Sequence, residues 1–248
     1  MSADPLTLQV LAVLFVATLV RSAFGFGEAL IAVPLLALVM PVEVAAPVAA
    51  LVSITVAALV LAQDGAEVHV RSAWRLLLAT LPGLPLGLLL LTRVSEPVVK
   101  AALACVILAF SCCSLCARER PLLEDDRLAW LFGAGAGVLG GAYGMNGPPL
   151  VIYGALRGWS PATFRATLQG YFLPASLLGM GGYWLVGLWT PAVTRHYLVS
   201  LPAILVAVVA GRALNRRLPG PRFLKLVHLG LAAIGALLLL QACAGPSA

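Results

Sequence analysis

Apolar runs of bilayer length follow one another through nearly the whole chain, joined by short connections. Roughly 17–25 such residues suffice for a helix to cross the hydrocarbon core. The expected fold is therefore an all-α polytopic membrane protein. Composition agrees: 61% of the 248 residues are hydrophobic and 10% are charged, against roughly 25% charged residues in soluble domains. The net charge of +6 then reads as topology, because Lys and Arg collect in cytoplasmic loops. No basic stretch interleaves with aromatics, so nucleic acid is not an expected partner. Met1 to Pro5 lacks the basic segment of a cleaved signal peptide, and Leu6–Phe24 is expected to be retained as a first span. Of the five cysteines, Cys105, Cys112, Cys113 and Cys116 share one apolar segment. They suggest helix packing, since the Cys113/Cys116 pair lacks a thioredoxin-like context.

Taken in order, the first half reads as Leu6–Phe24, a Gly25–Glu28 break, a short piece Ala29–Met40, then Val42–Ala62, Leu76–Thr92 and Val98–Cys116. Gln63–Arg75 is a polar connection, and Pro82, Gly83, Pro85 and Gly87 predict kinks. Arg118 to Arg127, with three Arg and four acids, divides the chain. The second half runs Leu128–Ala142, a break at Tyr143–Pro149, a short helix to about Arg157, Pro161–Leu188, Tyr197–Arg212 and Phe223–Ala242.

A shift of 120 positions brings Pro41 onto Pro161, Gly27 onto Gly147, Leu30 onto Leu150, Ala46 onto Ala166 and Pro82 onto Pro202. These coincidences predict two five-segment repeats: residues 1–117, a cytoplasmic connecting loop at 118–127, and residues 128–248. Arg212 to Lys225 holds five basic residues and no acids, so it is expected in the cytoplasm. Alternation then puts Arg71, Arg75 and the central loop inside and both chain ends outside, provided the short helix after Pro148 completes a crossing rather than re-entering. An odd number of segments inverts the second repeat. Inverted repeats with broken helices are the plan of many secondary transporters, whose sites lie near the midplane.

The candidate site follows from the two breaks. Gly25 and Gly27 in one half, and Gly144, Asn146, Gly147 and Pro148 in the other, each precede a short helix. Helix N-termini present N–H groups and partial positive charge, which suits an anion, and Asn146 adds an amide donor. Gly133, Gly135, Gly137, Gly140 and Gly141 suggest close helix packing instead. Arg165 has no acid in its own half, since none follows Asp126. It is expected either to snorkel to the headgroups or to supply positive potential for an anion. Gln169 lies one turn deeper on the same face. Glu28 is the acid at the first break, and a carboxyl there points to function. Proton uptake would relieve its burial and allow coupling to a proton gradient. The competing reading is a charge held by the helix dipole, or an ion pair with Arg21 or Arg165. Tyr143, Tyr153 and Tyr171 suggest core packing or hydroxyls on a cavity. Trp74, Trp184 and Trp189 suggest interfacial anchors. His69, His196 and His228 lack metal spacing, so no metal or cofactor is expected, and with no catalytic signature an enzyme is not expected.

Phe24-Gly25-Phe26-Gly27-Glu28-Ala29-Leu30-Ile31-Ala32-Val33-Pro34 with Pro41 resembles the first signature of the sulfite exporter TauE/SafE family. Asn146-Gly147-Pro148-Pro149-Leu150-Val151-Ile152-Tyr153, followed by Arg165-Ala166-Thr167-Leu168 and Tyr171-Phe172, resembles the second. The resemblance spans nearly the whole chain. It implies transport, usually export, of small anions such as sulfite and organosulfonates across a bacterial-type inner membrane. The first signature is often all glycine where this chain has Glu28, so coupling at Glu28 is not part of what the resemblance implies. The expectation is a secondary anion transporter working by alternating access. Its alternatives are a carrier of another small carboxylate or phosphonate, and a membrane scaffold that moves nothing.

Overall fold

A computed structural model describes residues 4–64, 70–115, 127–215 and 220–244. Among these residues the chain forms ten helices: α1 (Pro5–Phe24), α2 (Glu28–Ala37), α3 (Val42–Asp64), α4 (Val70–Arg93), α5 (Glu96–Leu115), α6 (Ala129–Tyr143), α7 (Gly147–Leu156), α8 (Pro161–Leu185), α9 (Pro191–Asn215) and α10 (Gly220–Ala244). Nearly all of the central loop 118–127, together with Met1, His69 and Cys116, lies outside the described residues.

Local chemistry sets the boundaries. Asp4 caps α1, its side chain accepting from the Leu6 N–H, and Pro5 occupies the first turn, where a missing N–H is harmless. Ser160 and Pro161 repeat that arrangement at α8. Two boundaries differ most from the sequence reading. α4 begins at Val70, so Arg71 and Arg75 belong to its first turns rather than to a polar connection, because nothing breaks the helix before Pro82. α9 begins at Pro191 rather than near Tyr197, with Thr190 Oγ1 accepting from the Val193 N–H at 3.4 Å. His196 and His228 consequently fall within helices.

Five of the described helices include stretches long and apolar enough to cross a membrane: Pro5–Phe24, Val42–Ala62, Ala73–Arg93, Glu96–Leu115 and Pro191–Leu214. Their outer faces carry Leu86, Leu89, Leu198, Val206 and Val209 in exposed positions, while Arg21, Glu28, Ser53, Asn146, Gln169 and Ser176 are buried. Apolar outside and polar inside is the distribution a lipid solvent selects. Trp74, Trp184 and Trp189 are exposed near helix ends, as interfacial anchors are. The cysteines depart from expectation: Cys105, Cys112 and Cys113 are exposed on α5 instead of packed inside.

The helices pack in crossed pairs. α4 lies on α6, α1 on α9, α5 on α10 and α3 on α8, with α2 against α7 between them. Without a hydrophobic drive between helices in lipid, small residues let backbones approach. A Cβ on Gly137 would stand 2.3 Å from the Thr80 carbonyl oxygen, and one on Gly141 2.2 Å from that of Leu84. In return, Gly83 and Gly87 of α4 press on the carbonyls of Ala134 and Val138. Gly133 sits equally close to Leu76 and Ala79, whereas Gly135 has only Pro149 nearby, at 3.8 Å. Gly211 of α9 plays the same part against Leu19 and Ser22 of α1.

Gly141→Val should therefore force α4 and α6 apart, lowering stability by about 1–3 kcal/mol or more. Gly181→Ala, with nothing within 4 Å of the added methyl, should leave it unchanged. Thermal midpoints of the two variants in detergent check this.

Candidate functional site

Both helix breaks open on one cavity. Gly25 caps α1 in the left-handed conformation at φ 87°, its N–H donating back to the Arg21 carbonyl at 2.6 Å. Gly27 follows at φ 100° and starts α2. In the second half Gly144, at φ 62°, caps α6 by donating to the Gly140 carbonyl at 2.9 Å, and α7 starts at Gly147. The backbone here needs glycine at Gly27 and Gly144, because side chains rarely tolerate these angles. Gly144 has a second reason, since an added Cβ would lie 2.8 Å from the Ala46 carbonyl oxygen of α3.

The cavity encloses about 20 Å³ and is lined from the first break by Gly27, Glu28, Ala29 and Leu30, and from the second by Gly144 to Pro148. Arg21, Phe26, Ser53 and Phe172 complete the wall. About 10–15 Å³ admits a single water molecule, so the space is close to the size of one water.

Arg21 occupies the centre and is only 3% exposed. Its Nη1 donates to Glu28 Oε2 at 2.5 Å and to Ser53 Oγ at 2.8 Å, and its Nη2 donates to Gln169 Oε1 at 2.9 Å. The Phe172 ring lies 4.9 Å from the guanidinium carbon, close enough for a cation–π contact. Gln169 Nε2 in turn donates to the Gly25 carbonyl at 2.8 Å, and Ser176 Oγ to Ser53 Oγ at 2.9 Å. One guanidinium thus ties α1, α2, α3 and α8 together across 148 residues of sequence.

A second polar chain holds the other break. Asn146 Nδ2 donates to Tyr171 Oη at 3.3 Å, and Tyr171 Oη shares a hydrogen bond with Thr80 Oγ1 at 2.6 Å. A Cβ on Gly140 would strike the Asn146 amide at 2.6 Å, so that glycine makes room for the asparagine. The two helix ends are unequal as anion sites. The first-turn N–H groups of α2 belong to Glu28, Ala29 and Leu30, all on the cavity wall. α7 has Pro148 and Pro149 in its first turn, which carry no N–H.

A model of the family described as Sulfite exporter TauE/SafE matches residues 10–238. The chain belongs to that family. No curated protein and no solved structure matches the chain. Membership in TauE/SafE makes the chain a membrane transporter, and its apolar helices make it multi-pass.

Of the residues expected at the TauE/SafE site, Gly27, Glu28, Gly144, Asn146, Gly147 and Pro148 line the cavity. Gly25 and Gln169 are bonded to each other just behind it. Arg165 lies in α8 one turn before Gln169, and its side chain is outside the described residues. Tyr143 and Tyr171 are buried with bonded hydroxyls, Tyr143 donating to the Val99 carbonyl at 2.9 Å. Tyr153 packs edge-on against Trp159. The central cation is Arg21, which sequence reasoning named only as a partner for Glu28. Ser53, Ser176 and Thr80 were not singled out at all, and Phe172 entered only as part of the second family signature. The available signal was a lone Arg inside an apolar run, seven residues before an acid and four before a glycine break.

Removing one member of a buried ion pair leaves an unpaired charge and costs about 3–5 kcal/mol. Glu28→Leu and Arg21→Met should each be destabilised on that scale. The double variant should recover most of the loss, giving a strong favourable coupling in a double-mutant cycle read from thermal midpoints.

Proposed function

We propose that this chain is a secondary transporter of small sulfur-containing anions such as sulfite or organosulfonates, working by alternating access in a bacterial-type inner membrane. The observation that carries the reading is the convergence of both helix breaks on one cavity that holds a buried guanidinium. A scaffold protein would have no use for that arrangement, since packed breaks alone would serve it. In this reading Gly27, Glu28, Asn146 and Gly147 surround the anion, Gly25, Gly144, Pro148 and Gln169 shape the breaks, Arg165 adds positive potential near the entrance, and Glu28 couples transport to protons.

Residues 1–117 and 128–248 act as inverted halves. The crossed packing supports this: the first helix of each half packs on the fourth of the other, third on third and fifth on fifth. An exchange symmetry of this kind is what two equivalent halves require. Each short helix has ten residues, about 15 Å at 1.5 Å per residue. That is half of a hydrocarbon core of about 30 Å, enough to run from mid-bilayer to one surface. Where each short helix, with the break before it, completes one crossing, both chain ends lie outside the cell and the basic Arg212–Lys225 segment lies in the cytoplasm. The small anion, protons and lipid are the partners; no cofactor enters the cycle.

Proteoliposomes should take up sulfite against a control without protein, and Asn146→Ala should slow uptake about 10–100-fold, the effect of losing one hydrogen bond to a charged group. Parallel assays with a small carboxylate and a phosphonate distinguish the substrate classes. Absence of flux for all three would favour a scaffold.

A further inference from the structure

The cavity holds a positive and a negative side chain where a carrier of one anion needs only the positive one. Arg21 Nε and Glu28 Oε1 are both buried and have no hydrogen-bond partner among the described residues. Glu28 is also the first residue of α2, so its carboxylate already satisfies both the helix dipole and the guanidinium. These are the two attractions that an incoming anion would use. We infer that Arg21 is the anion receptor and that Glu28 is a tethered competitor for it, so that an anion is accepted only as Glu28 takes up a proton.

The reasoning is charge conservation in a medium that penalises unpaired charge. Glu28 is the titratable partner in the pair, since a guanidinium in general offers donors and no exchangeable charge. One guanidinium with one carboxylate is neutral, and it is the pair seen here. Adding a substrate anion beside both would bury net negative charge, and removing Glu28 from Arg21 without a replacement would bury net positive charge. The second neutral arrangement is Arg21 with the bound anion and Glu28 protonated. Each anion bound therefore brings in one proton, and by linkage each proton raises the affinity for the anion.

The surroundings supply no other described charge to change that balance. α2 packs against α1, α3, α5, α7 and α10. Of these, α1 contributes Arg21 and α3 contributes Ser53, with Glu43 exposed ten residues earlier; Asn146 precedes α7, and α10 carries no charged side chain among those described. Lys100 and Glu96 of α5 pair with each other at 3.1 Å. From α8, Gln169 reaches Arg21, and Arg165 lies one turn earlier with its side chain outside the described residues.

The inference rests on the anion-carrier reading and has a consequence for direction. Anion and proton travel together, so a monoanion moves without net charge. Export then proceeds when the outward anion gradient exceeds the inward proton gradient, and uptake proceeds in the opposite case.

The test is binding of methanesulfonate, a sulfonate whose charge is constant with pH, to the full-length protein in nanodiscs by calorimetry, with proton uptake followed in weak buffer. Wild type should gain affinity about tenfold per pH unit of acidification through the titration of Glu28, the slope for one linked proton, and should take up about one proton per anion bound. Glu28→Gln should bind at the tight acidic limit at every pH with no proton uptake. The paired substitution Arg21→Gln with Glu28→Gln, which removes both charges together and so avoids a folding penalty from one orphan, should fold and bind no probe. A pH slope that survives in Glu28→Gln, or weaker binding in that variant than in wild type at neutral pH, would overturn the competition. Retained binding in the paired variant would overturn Arg21 as receptor, as would an absence of binding in wild type at every pH. Sulfite flux reads a different quantity: flux with pH-independent binding sinks only the competition, and pH-linked binding without sulfite flux sinks only the sulfite assignment.

Discussion

A buried guanidinium facing a buried carboxylate is the interaction on which this architecture turns. Neither charge would be stable alone at that depth, so Arg21 and Glu28 must stay together or find substitutes. The requirement reaches outward through Ser53 and Gln169, which accept from the guanidinium, and from them to Ser176 and the Gly25 carbonyl. The first helix break is therefore held open by hydrogen bonds and not merely permitted by glycine. The second break is neutral and rests on Asn146, Tyr171 and Thr80. The two breaks thus place different chemistry around one small space, charge on one side and amide and hydroxyl on the other.

The surrounding scaffold solves a separate problem. Helices in lipid gain little from burying apolar surface against one another, and their contacts come from close backbone approach. Gly83 and Gly87 interleave with Gly133, Gly137 and Gly141 where α4 meets α6, and Gly211 serves the α1–α9 contact. These contacts join helices from opposite halves of the sequence.

Much of the site was legible from residue types. Glycine, proline and asparagine at membrane depth announced both breaks, and the cavity formed between them contains Gly27, Glu28, Asn146 and Gly147. The central place of Arg21 was not legible. Arg165 drew attention because its half contains no acid, whereas Arg21 read as a residue near a span end. Its importance depends on Gln169 and Ser53, which lie 148 and 32 positions away. Periodicity within one helix carries no trace of such partners. The outward-facing cysteines were misread for the same reason, since an apolar helix does not declare which of its faces meets lipid and which meets protein.

Hydropathy alone determined that this chain crosses a membrane repeatedly, because backbone in hydrocarbon must close its own hydrogen bonds and only long apolar helices do so cheaply. Glycine placement likewise determined where α1 and α6 stop, since a left-handed φ favours a residue without a Cβ. The tertiary structure alone decided which breaks share a cavity, which arginine enters it and which acid it meets. Those outcomes depend on crossed helix pairs brought together from opposite halves, and a buried charge selects its partner by distance in space, for which distance along the chain is no guide.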